Sequence, residues 1–508
     1  MQKAIKTIID AGADGIIVDT ECHISNGLPG IVIVGLGSKA VEESKERIRS
    51  AFASCGLPFP RKRITINLAP ADIPKESTSL DLAMAASILQ ADSSCKQPLG
   101  PECAVIGELG LEGDVRPVRG LIGKLLCGVR SGITHFFIPA GNKEQANLVP
   151  GVRITPLATV QELYAGMQQQ IEYNSHHTGA GQMPMQAQEY FEHRLADISG
   201  QLHAKRALEI AAAGGHNIFL NGPPGTGKSM LAKALPAILP ALTQQEMLEI
   251  THLHSLVAGK YETLVRARPF RAPHHSASYV AVVGGGVRLR PGEITLAHRG
   301  VLFLDELPEF SRSTIESLRQ PLEDRVITVA RAKDTALFPA NFILVATANP
   351  CPCGYFGSQK PCNCAPHRIA QYRQKLSGPI MDRIDLHVTV ENVDHTKLLH
   401  TAEENDATVR RRIAQARLLQ ATRYKSAGRL NADMTNREIK QLANLSPDAQ
   451  ELLNSAASKL FISARSYMRV VKIARTIADL GSSTSIKVSH ISEALQYRPQ
   501  NLQSLELT

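Results

Sequence analysis

The sequence lacks the features of a membrane-spanning or secreted chain. No run of apolar residues approaches the roughly 18 to 20 that are needed to cross a bilayer. Residues 1–10 include two lysines, but they have neither an apolar core segment nor a small-residue cleavage site, so they do not form a secretory signal. Together with the phosphate-binding motif described below, these absences predict a cytoplasmic protein without a membrane partner.

Cysteine and net charge are also sparse. The chain has nine cysteines in 508 residues, and the net charge is +9. Five cysteines are scattered among apolar residues, which is typical of free buried thiols in a reducing compartment: Cys22, Cys55, Cys95, Cys103 and Cys127. The mild positive charge permits a polyanionic partner and disfavours a basic one, but by itself it does not indicate nucleic-acid binding.

The length of 508 residues predicts two to four domains. The composition, with 43% hydrophobic and 20% charged residues, is typical of a soluble globular protein. We expect an α/β domain at 1–165 and a linker rich in Gln, Gly and Met at 166–188. A nucleotide-binding domain is expected at 189–392 and a helical domain at 393–508. No internal repeat of fixed period is present.

Residue periodicity predicts the local elements at both ends of the chain. In the N-terminal domain it predicts strands at 16–23, 30–35, 63–68 and 135–139, and helices at 39–55, 80–89 and 121–130. In the C-terminal domain it predicts helices at 403–426, 436–442, 447–461, 463–480 and 489–496.

The most informative stretch is a glycine-rich motif between an apolar run at 216–221 and a helical pattern at 230–235. It reads Gly222, Pro223, Pro224, Gly225, Thr226, Gly227, Lys228 and Ser229, a complete G-x-x-x-x-G-K-[ST] pattern. Glycines permit a tight turn whose N–H groups point inward, and the following helix adds its positive end. Lys228 can reach the β- and γ-phosphates and Ser229 can hold Mg²⁺, so the motif predicts binding of ATP with Mg²⁺.

A second apolar strand, 300–304, ends in the carboxylates Asp305 and Glu306. A buried strand can deliver Asp305 to the Mg²⁺ beside Ser229. Glu306 can then polarise a water molecule for in-line attack on the γ-phosphate. Beside the glycine-rich motif, this pattern favours ATP hydrolysis over passive nucleotide binding.

Three further polar residues are candidates for the nucleotide site. Asn349 ends a strand at 341–349, where it could orient the attacking water or sense the γ-phosphate. Arg383 is suited to neutralise charge in the transition state from a neighbouring subunit. Arg465 lies at the start of a helix and could also reach the nucleotide.

Taken together, these motifs resemble the AAA+ ATPases of the magnesium-chelatase and MCM-helicase branch, and within it the ComM/YifB magnesium chelatase-like family. The resemblance covers nearly the whole chain, and its most specific blocks are 268–277, 290–295 and 303–310. It implies an α/β fold with a Lon-protease-like N-terminal domain, an AAA+ P-loop αβα core and a C-terminal helical lid.

The resemblance also implies function. Members of the ComM type act as hexameric DNA helicases that drive branch migration in homologous recombination during natural transformation. Single-stranded, forked or branched DNA, five further copies of the chain and recombination proteins are then the expected partners. By matching motif, Arg383 would be the arginine finger and Arg465 the sensor 2 arginine.

Basic residues in three stretches of the chain are candidates for holding DNA. Alternation on both sides of 330–334 predicts a hairpin with Arg331 and Lys333 at its tip, in either a DNA channel or an ordinary exposed turn. A glycine-rich insert, read as either a pore loop or a structural insert, carries Arg268, Arg271, His274 and His275. The basic run 410–429, which contains no acidic residue, is more typical of a solvated helix face.

The remaining four cysteines form two C-x-C pairs: Cys351, Cys353, Cys362 and Cys364. Four thiolates this close can form a tetrahedral zinc site, although C-x-C is tighter than the common C-x₂-C knuckle. Reduced free thiols are the main alternative, and a disulfide is disfavoured in a reducing compartment.

The N-terminal domain raises the question of peptidase activity. By resemblance to Lon proteases, Ser79 stands where the nucleophile would lie, but the lysine position of the dyad is taken by Ile122. Isoleucine cannot accept the proton of a serine, and Lys124 would point to another helix face. A Lon-like protease is therefore less favoured than a DNA motor, as is a protein-remodelling motor of the magnesium-chelatase type.

Overall fold

The computed structural model describes residues 4–11, 14–35, 37, 39–73, 75, 78–92, 95–178, 192–257, 264–286, 290–330, 335–376, 378–393 and 405–499. The chain divides into two compact units. The N-terminal unit comprises Met1–Ala187 and Thr243–Arg266, and the P-loop unit comprises Gln188–Leu242 and Ala267–Thr508. The segment Thr243–Arg266 thus groups with the N-terminal unit, which the sequence patterns did not indicate.

The N-terminal unit is built on an eight-stranded mixed sheet with a separate two-stranded ribbon. Its strands are β1 (Ile5–Ala11), β2 (Asp14–Ser25), β3 (Gly30–Val34), β4 (Arg63–Ala69), β5 (Cys103–Val105), β6 (Glu108–Leu109), β7 (Val115–Arg116), β8 (His135–Pro139), β9 (Arg153–Leu157) and β10 (His176–His177). The sheet order is β10-β9-β8-β5-β1-β2-β4-β3, and β6 pairs with β7.

Five helices accompany these strands: α1 (Lys39–Ser54), α2 (Asp81–Ala91), α3 (Leu121–Arg130), α4 (Lys143–Ala146) and α5 (Val160–Met167). Every residue of α2 from Asp81 to Leu89 is buried, so this small apolar helix lies at the centre of the unit. Helix α5 and the pairing of β10 with β9 give regular structure to part of the stretch 166–178, which the sequence predicted as linker. Residues 179–188 of that predicted linker lie outside the described residues.

The P-loop unit is built on a five-stranded parallel sheet. The strands of this unit are β11 (Ile218–Asn221), β12 (Phe270–Arg271), β13 (Gly284–Gly285), β14 (Arg290–Pro291), β15 (Val301–Leu304), β16 (Val326–Ala330), β17 (Thr335–Pro339), β18 (Ile343–Ala348) and β19 (Leu386–Thr389). All residues of β15 and β18 are buried, which explains their nearly continuous apolar sequence, since central parallel strands are covered on both faces.

The order of the parallel sheet, β12-β15-β18-β11-β19, positions the candidate site. From β11 the chain passes to β12 at one edge, whereas from β18 it passes β11 to reach β19 at the other edge. The neighbours β11 and β18 are therefore the point where the connections diverge, and ligands of open α/β sheets bind at the carboxyl ends of such strands. The glycine-rich motif follows β11 and Asn349 follows β18.

The next helices lie between residues 202 and 381, and all of them except α8 belong to the P-loop unit. They are α6 (Leu202–Gly214), α7 (Lys228–Ile238), α8 (Gln244–Ser255), α9 (Tyr279–Val283), α10 (Glu293–Leu296), α11 (Arg312–Ser317), α12 (Arg319–Asp324), α13 (Pro366–Gln374) and α14 (Gly378–Met381). Helix α8 packs on α3 within the N-terminal unit. Gly123 of α3 lies so close to it that an added Cβ would come within 2.5 Å of His252.

Five helices end the described chain: α15 (Asp406–Tyr424), α16 (Asn436–Leu442), α17 (Pro447–Lys459), α18 (Ala464–Leu480) and α19 (Val488–Gln496). Each lies within a few residues of its predicted bounds. Ser463 caps α18 by accepting a hydrogen bond from the backbone N–H of Ser466. Arg475 of α18 is buried and donates to the carbonyl oxygens of Ser483 and Thr484.

Candidate active site

The glycine-rich motif adopts the tight turn that its sequence requires. Gly225 and Gly227 have φ values of +82° and +87°, a region that favours glycine. Gly222 is needed for space, because an added Cβ would lie 2.2 Å from the carbonyl oxygen of Val390. Helix α7 begins immediately afterwards, at Lys228, so the loop and the positive end of a helix face the same point.

Lys228 lies inside this loop. Its Nζ donates to the carbonyl oxygens of Gly222 and Pro223, at 2.7 and 2.8 Å, and to Oδ1 of Asn349 at 3.2 Å. The side chain is nearly buried, and burial lowers its pKa. The ammonium group is thus held at the centre of the loop, next to the end of β18.

Asp305 follows β15 and meets the first turn of α7. Its Oδ2 accepts a hydrogen bond from Ser229 Oγ at 3.1 Å, and its Oδ1 accepts one from Thr347 Oγ1 at 2.5 Å. The pairing of β15 with β18 brings these side chains together. Thr347 was not singled out from the sequence, although a hydroxyl within the apolar run of a buried strand is a signal that could have found it.

Glu306 has an unusual backbone conformation for a residue other than glycine, with φ of +53° and ψ of +54°. Its N–H donates to Thr347 Oγ1 at 2.9 Å, and its Oε1 accepts from Asn349 Nδ2 at 3.5 Å. Left-handed backbone of this kind costs free energy and is concentrated at functional sites. Here it turns the Glu306 carboxylate towards Asn349 and away from the line of the strand.

These residues fit ATP with Mg²⁺. The Ser229 hydroxyl and the Asp305 carboxylate supply adjacent oxygen ligands of the kind that Mg²⁺ prefers, and Lys228 with the loop N–H groups faces the place of the phosphates. When bound, the metal ion would neutralise charge on the phosphates. Within the chain itself, the Glu306 carboxylate and the Asn349 amide lie next to each other, and both groups can form hydrogen bonds to a water molecule.

The two candidate arginines meet elsewhere, on a carboxylate of α12. Arg383 Nη2 lies 2.7 Å from Oε1 of Glu323, and Arg465 pairs with the same oxygen. Arg383 also donates to the carbonyl oxygen of Pro379 at 2.6 Å. The hydrogen bond from Arg383 lowers the pKa of Glu323, and so does the one from Arg465. Glu323 was missed from the sequence, because an acidic residue on a short surface helix carries no distinguishing signal.

A buried polar group connects this arginine segment to β11. Asp385 Oδ2 lies 3.2 Å from His216 Nδ1, and Asp385 Oδ1 lies 3.4 Å from Arg469 Nε. Asn217 donates from Nδ2 to the carbonyl oxygen of Arg383 at 3.3 Å. Burial opposes ionisation of Asp385, but the hydrogen bond from His216 and nearby cations outweigh it and lower the pKa of Asp385 to about 2.

The four clustered cysteines come together between β18 and α13. Their sulfur atoms all lie within 4.8 Å of one another: Cys351, Cys353, Cys362 and Cys364. The backbone N–H of Tyr355 and the thiol of Cys351 lower the pKa of Cys353 to about 6. The arrangement is compatible with a metal ion.

The candidate DNA-contacting residues differ in their environments. Arg268 donates to the carbonyl oxygens of Pro240 and Arg299, and Arg271 forms a two-pronged ion pair with Glu293. His274 and His275 are exposed neighbours whose ring centroids lie 4.1 Å apart. The predicted hairpin is present as β16 paired with β17, but its tip, with Arg331 and Lys333, lies outside the described residues.

The N-terminal unit places the candidate peptidase residues in a buried environment. Ser79 is 2% exposed, and Ile122 is fully buried. The Lys124 ammonium lies 3.1 Å from Asp10 Oδ1 and donates to the carbonyl oxygen of Arg119 at 2.9 Å. The Lys124 ammonium is therefore engaged with Asp10 and Arg119, and the isoleucine at position 122 cannot accept the proton of a serine.

Comparison with known proteins identifies relatives along almost the whole length. The chain is 40% identical to Competence protein ComM of Haemophilus influenzae over 492 residues, which cover 96% of this chain and 95% of that protein. It is also 40% identical to YifB of Escherichia coli over 485 residues, 95% of this chain and 94% of that protein. The chain belongs to the ComM/YifB family of magnesium chelatase-like proteins.

Family models agree with this assignment. The models described as magnesium chelatase subunit ChlI match residues 194–398 and 20–142, and the model of its C-terminal part matches residues 403–498. A weaker similarity, 26% identity over 162 residues, relates 30% of the chain to 20% of the Lon protease of Mycoplasma mycoides. Membership of the ComM/YifB family makes the P-loop unit an AAA+ ATPase, whose ligands are ATP and Mg²⁺. No helix in the described part of the chain is both long and apolar enough to cross a bilayer.

Proposed function

We propose that this protein is a ring-forming ATPase that uses ATP hydrolysis to move along DNA and drive branch migration during recombination. The proposed ATPase activity is supported by one cluster of side chains. Its members are Lys228, Ser229, Asp305, Glu306 and Asn349. This group holds a phosphate cradle, a pair of metal ligands and a carboxylate with an amide partner at one point of the sheet.

The ring is supported by the position of the two arginines. Lys228 and Asp305 form hydrogen bonds with residues of the phosphate loop and with residues in or directly after β18. Arg383 and Arg465 instead both pair with Glu323. Stabilisation of charge on the γ-phosphate requires a cation at the reacting group. A neighbouring copy in a ring can provide Arg383 and Arg465, and six copies is the number that the family resemblance implies.

The DNA half rests on two observations. A relative that covers almost the whole chain is named Competence protein ComM, and competence concerns the uptake of DNA. The hairpin β16–β17 carries two cations in its tip sequence, and a ring can direct such hairpins into its channel. Contacts of this kind go to the phosphate backbone, so we propose that the motor accepts single-stranded, forked or branched DNA of any sequence.

The test uses the purified full-length protein with a synthetic four-way junction that carries a fluorescent strand. We expect ATP hydrolysis to rise when forked or four-way DNA is added, and the labelled strand to be exchanged only when ATP is present. Glu306→Gln is the matched control: it should still bind ATP, because the loop is intact, while turnover and strand exchange are lost. The DNA motor would be refuted if the rate of ATP hydrolysis were the same with and without DNA and the assembled protein exchanged no strands.

A second candidate function is remodelling of a protein partner. It is favoured by the three family models, which describe a subunit of magnesium chelatase. It shares the ATPase site, so Glu306→Gln cannot separate the two functions. DNA dependence can, because a protein-remodelling motor should hydrolyse ATP at the same rate with and without DNA, and faster with its partner.

A further inference from the structure

The sulfur atoms of the cysteine cluster have the spacing of ligands that share one ion. The three separations between Cys351, Cys353 and Cys362 are 3.3, 3.6 and 3.5 Å. A zinc ion with four thiolates at about 2.3 Å requires sulfur atoms roughly 3.8 Å apart in a tetrahedron. The observed separations are close to this value and much longer than the roughly 2.05 Å of a disulfide bond.

The loop that carries the cluster has little other means of holding its shape. All residues from 350 to 365 are described, and none of them belongs to a helix or a strand. Its hydrogen bonds are short-range, such as those from Gly354 N to Cys351 O at 2.9 Å and from Phe356 N to Cys351 Sγ at 3.3 Å. One ion bound to all four cysteines would connect the two ends of this segment, which is how small zinc knuckles are stabilised.

The same loop touches the phosphate-binding loop. Gly354 has φ of +85°, and an added Cβ would lie 2.6 Å from Cδ of Pro224. The backbone that follows Cys353 therefore packs directly on the ring of a residue inside the glycine-rich motif. At its other end, the cluster begins two residues after Asn349, and Cys351 is fully buried.

We propose that Cys351, Cys353, Cys362 and Cys364 bind one zinc ion, and that this ion holds the segment around Gly354 against Pro224 so that the loop keeps its ATP-binding shape. The proposal rests on the ATP-binding function proposed above. Zinc acts here as a structural brace: all four ligands are thiolates of the chain, so no position is left open for a water molecule or a substrate. Loss of the ion lowers nucleotide affinity without removing any residue that contacts the nucleotide.

The first experiment measures zinc and nucleotide affinity on the full-length protein. We expect about one zinc ion per chain in the wild type, by elemental mass spectrometry. The double variant Cys362→Ser, Cys364→Ser should lose the zinc and bind a fluorescent ATP analogue at least about tenfold more weakly. Cys95→Ser, which lies outside the cluster, should change neither quantity. Wild-type protein stripped by a chelator should recover its affinity when zinc is added back.

The second experiment tests the contact without disturbing the ligands. Gly354→Ala places a methyl group against Pro224, so it should keep the zinc ion and still weaken binding of the ATP analogue by at least about tenfold. Gly357→Ala is the matched control. Gly357 also has a positive φ, of +75°, but nothing lies within 4 Å of its added Cβ, so its zinc content and affinity should equal those of the wild type.

The outcomes separate this proposal from the proposed function. A wild-type protein without zinc would overturn the metal site, and unchanged affinity in both the double variant and Gly354→Ala would overturn the brace. Equal losses in Gly354→Ala and Gly357→Ala would also overturn it, because the effect would then come from backbone strain alone. Failure of the DNA motor has a different signature, since zinc content and nucleotide affinity would follow the predictions while strand exchange was absent.

Discussion

Among single residues, Glu323 joins the two arginines that we propose for a neighbouring nucleotide site. Arg383 and Arg465 carry like charges that repel each other, and the carboxylate between them holds both guanidinium groups in one place. Glu323 would influence the reaction only through these arginines, so we predict for it the role of a positioning residue. Its side chain is 41% exposed, so its ion pairs add little to the stability of the fold. Their expected effect is to fix the positions of the two guanidinium groups.

We predict that Glu323→Gln lowers kcat for ATP hydrolysis by about tenfold or more and leaves KM within about twofold, because displacement of a catalytic cation affects turnover and the phosphate loop is untouched. Steady-state kinetics of the assembled protein measures both quantities. Glu323→Asp should recover part of kcat. Asp324→Asn, which removes the adjacent exposed carboxylate of α12, should leave kcat unchanged. An unchanged or raised kcat in Glu323→Gln would contradict the positioning role.

The residues that the sequence singled out on the phosphate side lie together in the structure, and each has a strong local signal. Lys228 and Ser229 belong to a complete motif, and Asp305, Glu306 and Asn349 end apolar strands whose carboxyl ends must meet in a parallel sheet. Thr347 and Glu323 were not predicted. Their roles depend on pairing between distant segments, β15 with β18 and α12 with α18, which no local pattern in one sequence records.

Among the elements, the basic helix α15 illustrates a role that charge patterning did not indicate. A solvated face was expected for 410–417. Instead, Arg410 donates to the carbonyl oxygen of Ala237 at the end of α7, and Arg417 donates to that of Ala212 near the end of α6. Cations stabilise the carboxyl ends of helices, where carbonyl groups lack intrahelical partners. These arginines therefore attach α15 to α6 and α7.

The carboxylate of Asp385 connects two elements, β11 and α18. It accepts contacts from His216 at the start of β11 and from Arg469 of α18, and it precedes β19 in the chain. The phosphate loop follows the same β11, and Arg465 lies at the start of the same α18. This link therefore connects the strand that leads into the phosphate loop with the helix that carries Arg465.

We predict that Asp385→Asn lowers the free energy of unfolding at neutral pH by about 2 kcal/mol, because the pKa of Asp385 lies near 2 instead of its ordinary value of about 3.9. A depressed pKa stabilises the fold above pH 4, and this contribution is lost as the pH falls from about 4 to 2. Urea unfolding of the P-loop unit at several pH values measures it. Glu391→Gln, at an exposed carboxylate, should keep the wild-type pH profile, whereas identical profiles for Asp385→Asn and the wild type would contradict the assignment.

For the whole molecule, the five C-terminal helices and part of the N-terminal strands and helices followed from periodicity, while the AAA+ and Lon-like fold assignments followed from the family resemblance. The grouping of Thr243–Arg266 with the N-terminal unit did not, since it depends on packing of α8 on α3 at Gly123, far apart in sequence. Ring assembly is also a property of the whole molecule. It stays a prediction. It is based on the arginines of one chain, which pair with Glu323 of the same chain, whereas the residues expected to contact phosphate lie around Lys228.

The decisive measurement is ATP hydrolysis by mixtures of Glu306→Gln and Arg383→Ala subunits in the presence of forked DNA. Each variant alone should be nearly inactive, the first because its own site cannot activate water and the second because its neighbour's site lacks the arginine. If every site combines Glu306 of one subunit with Arg383 of the next, random mixing leaves about a quarter of the interfaces intact, and the mixture should regain a corresponding share of wild-type turnover. A mixture no more active than its two components would contradict a shared site.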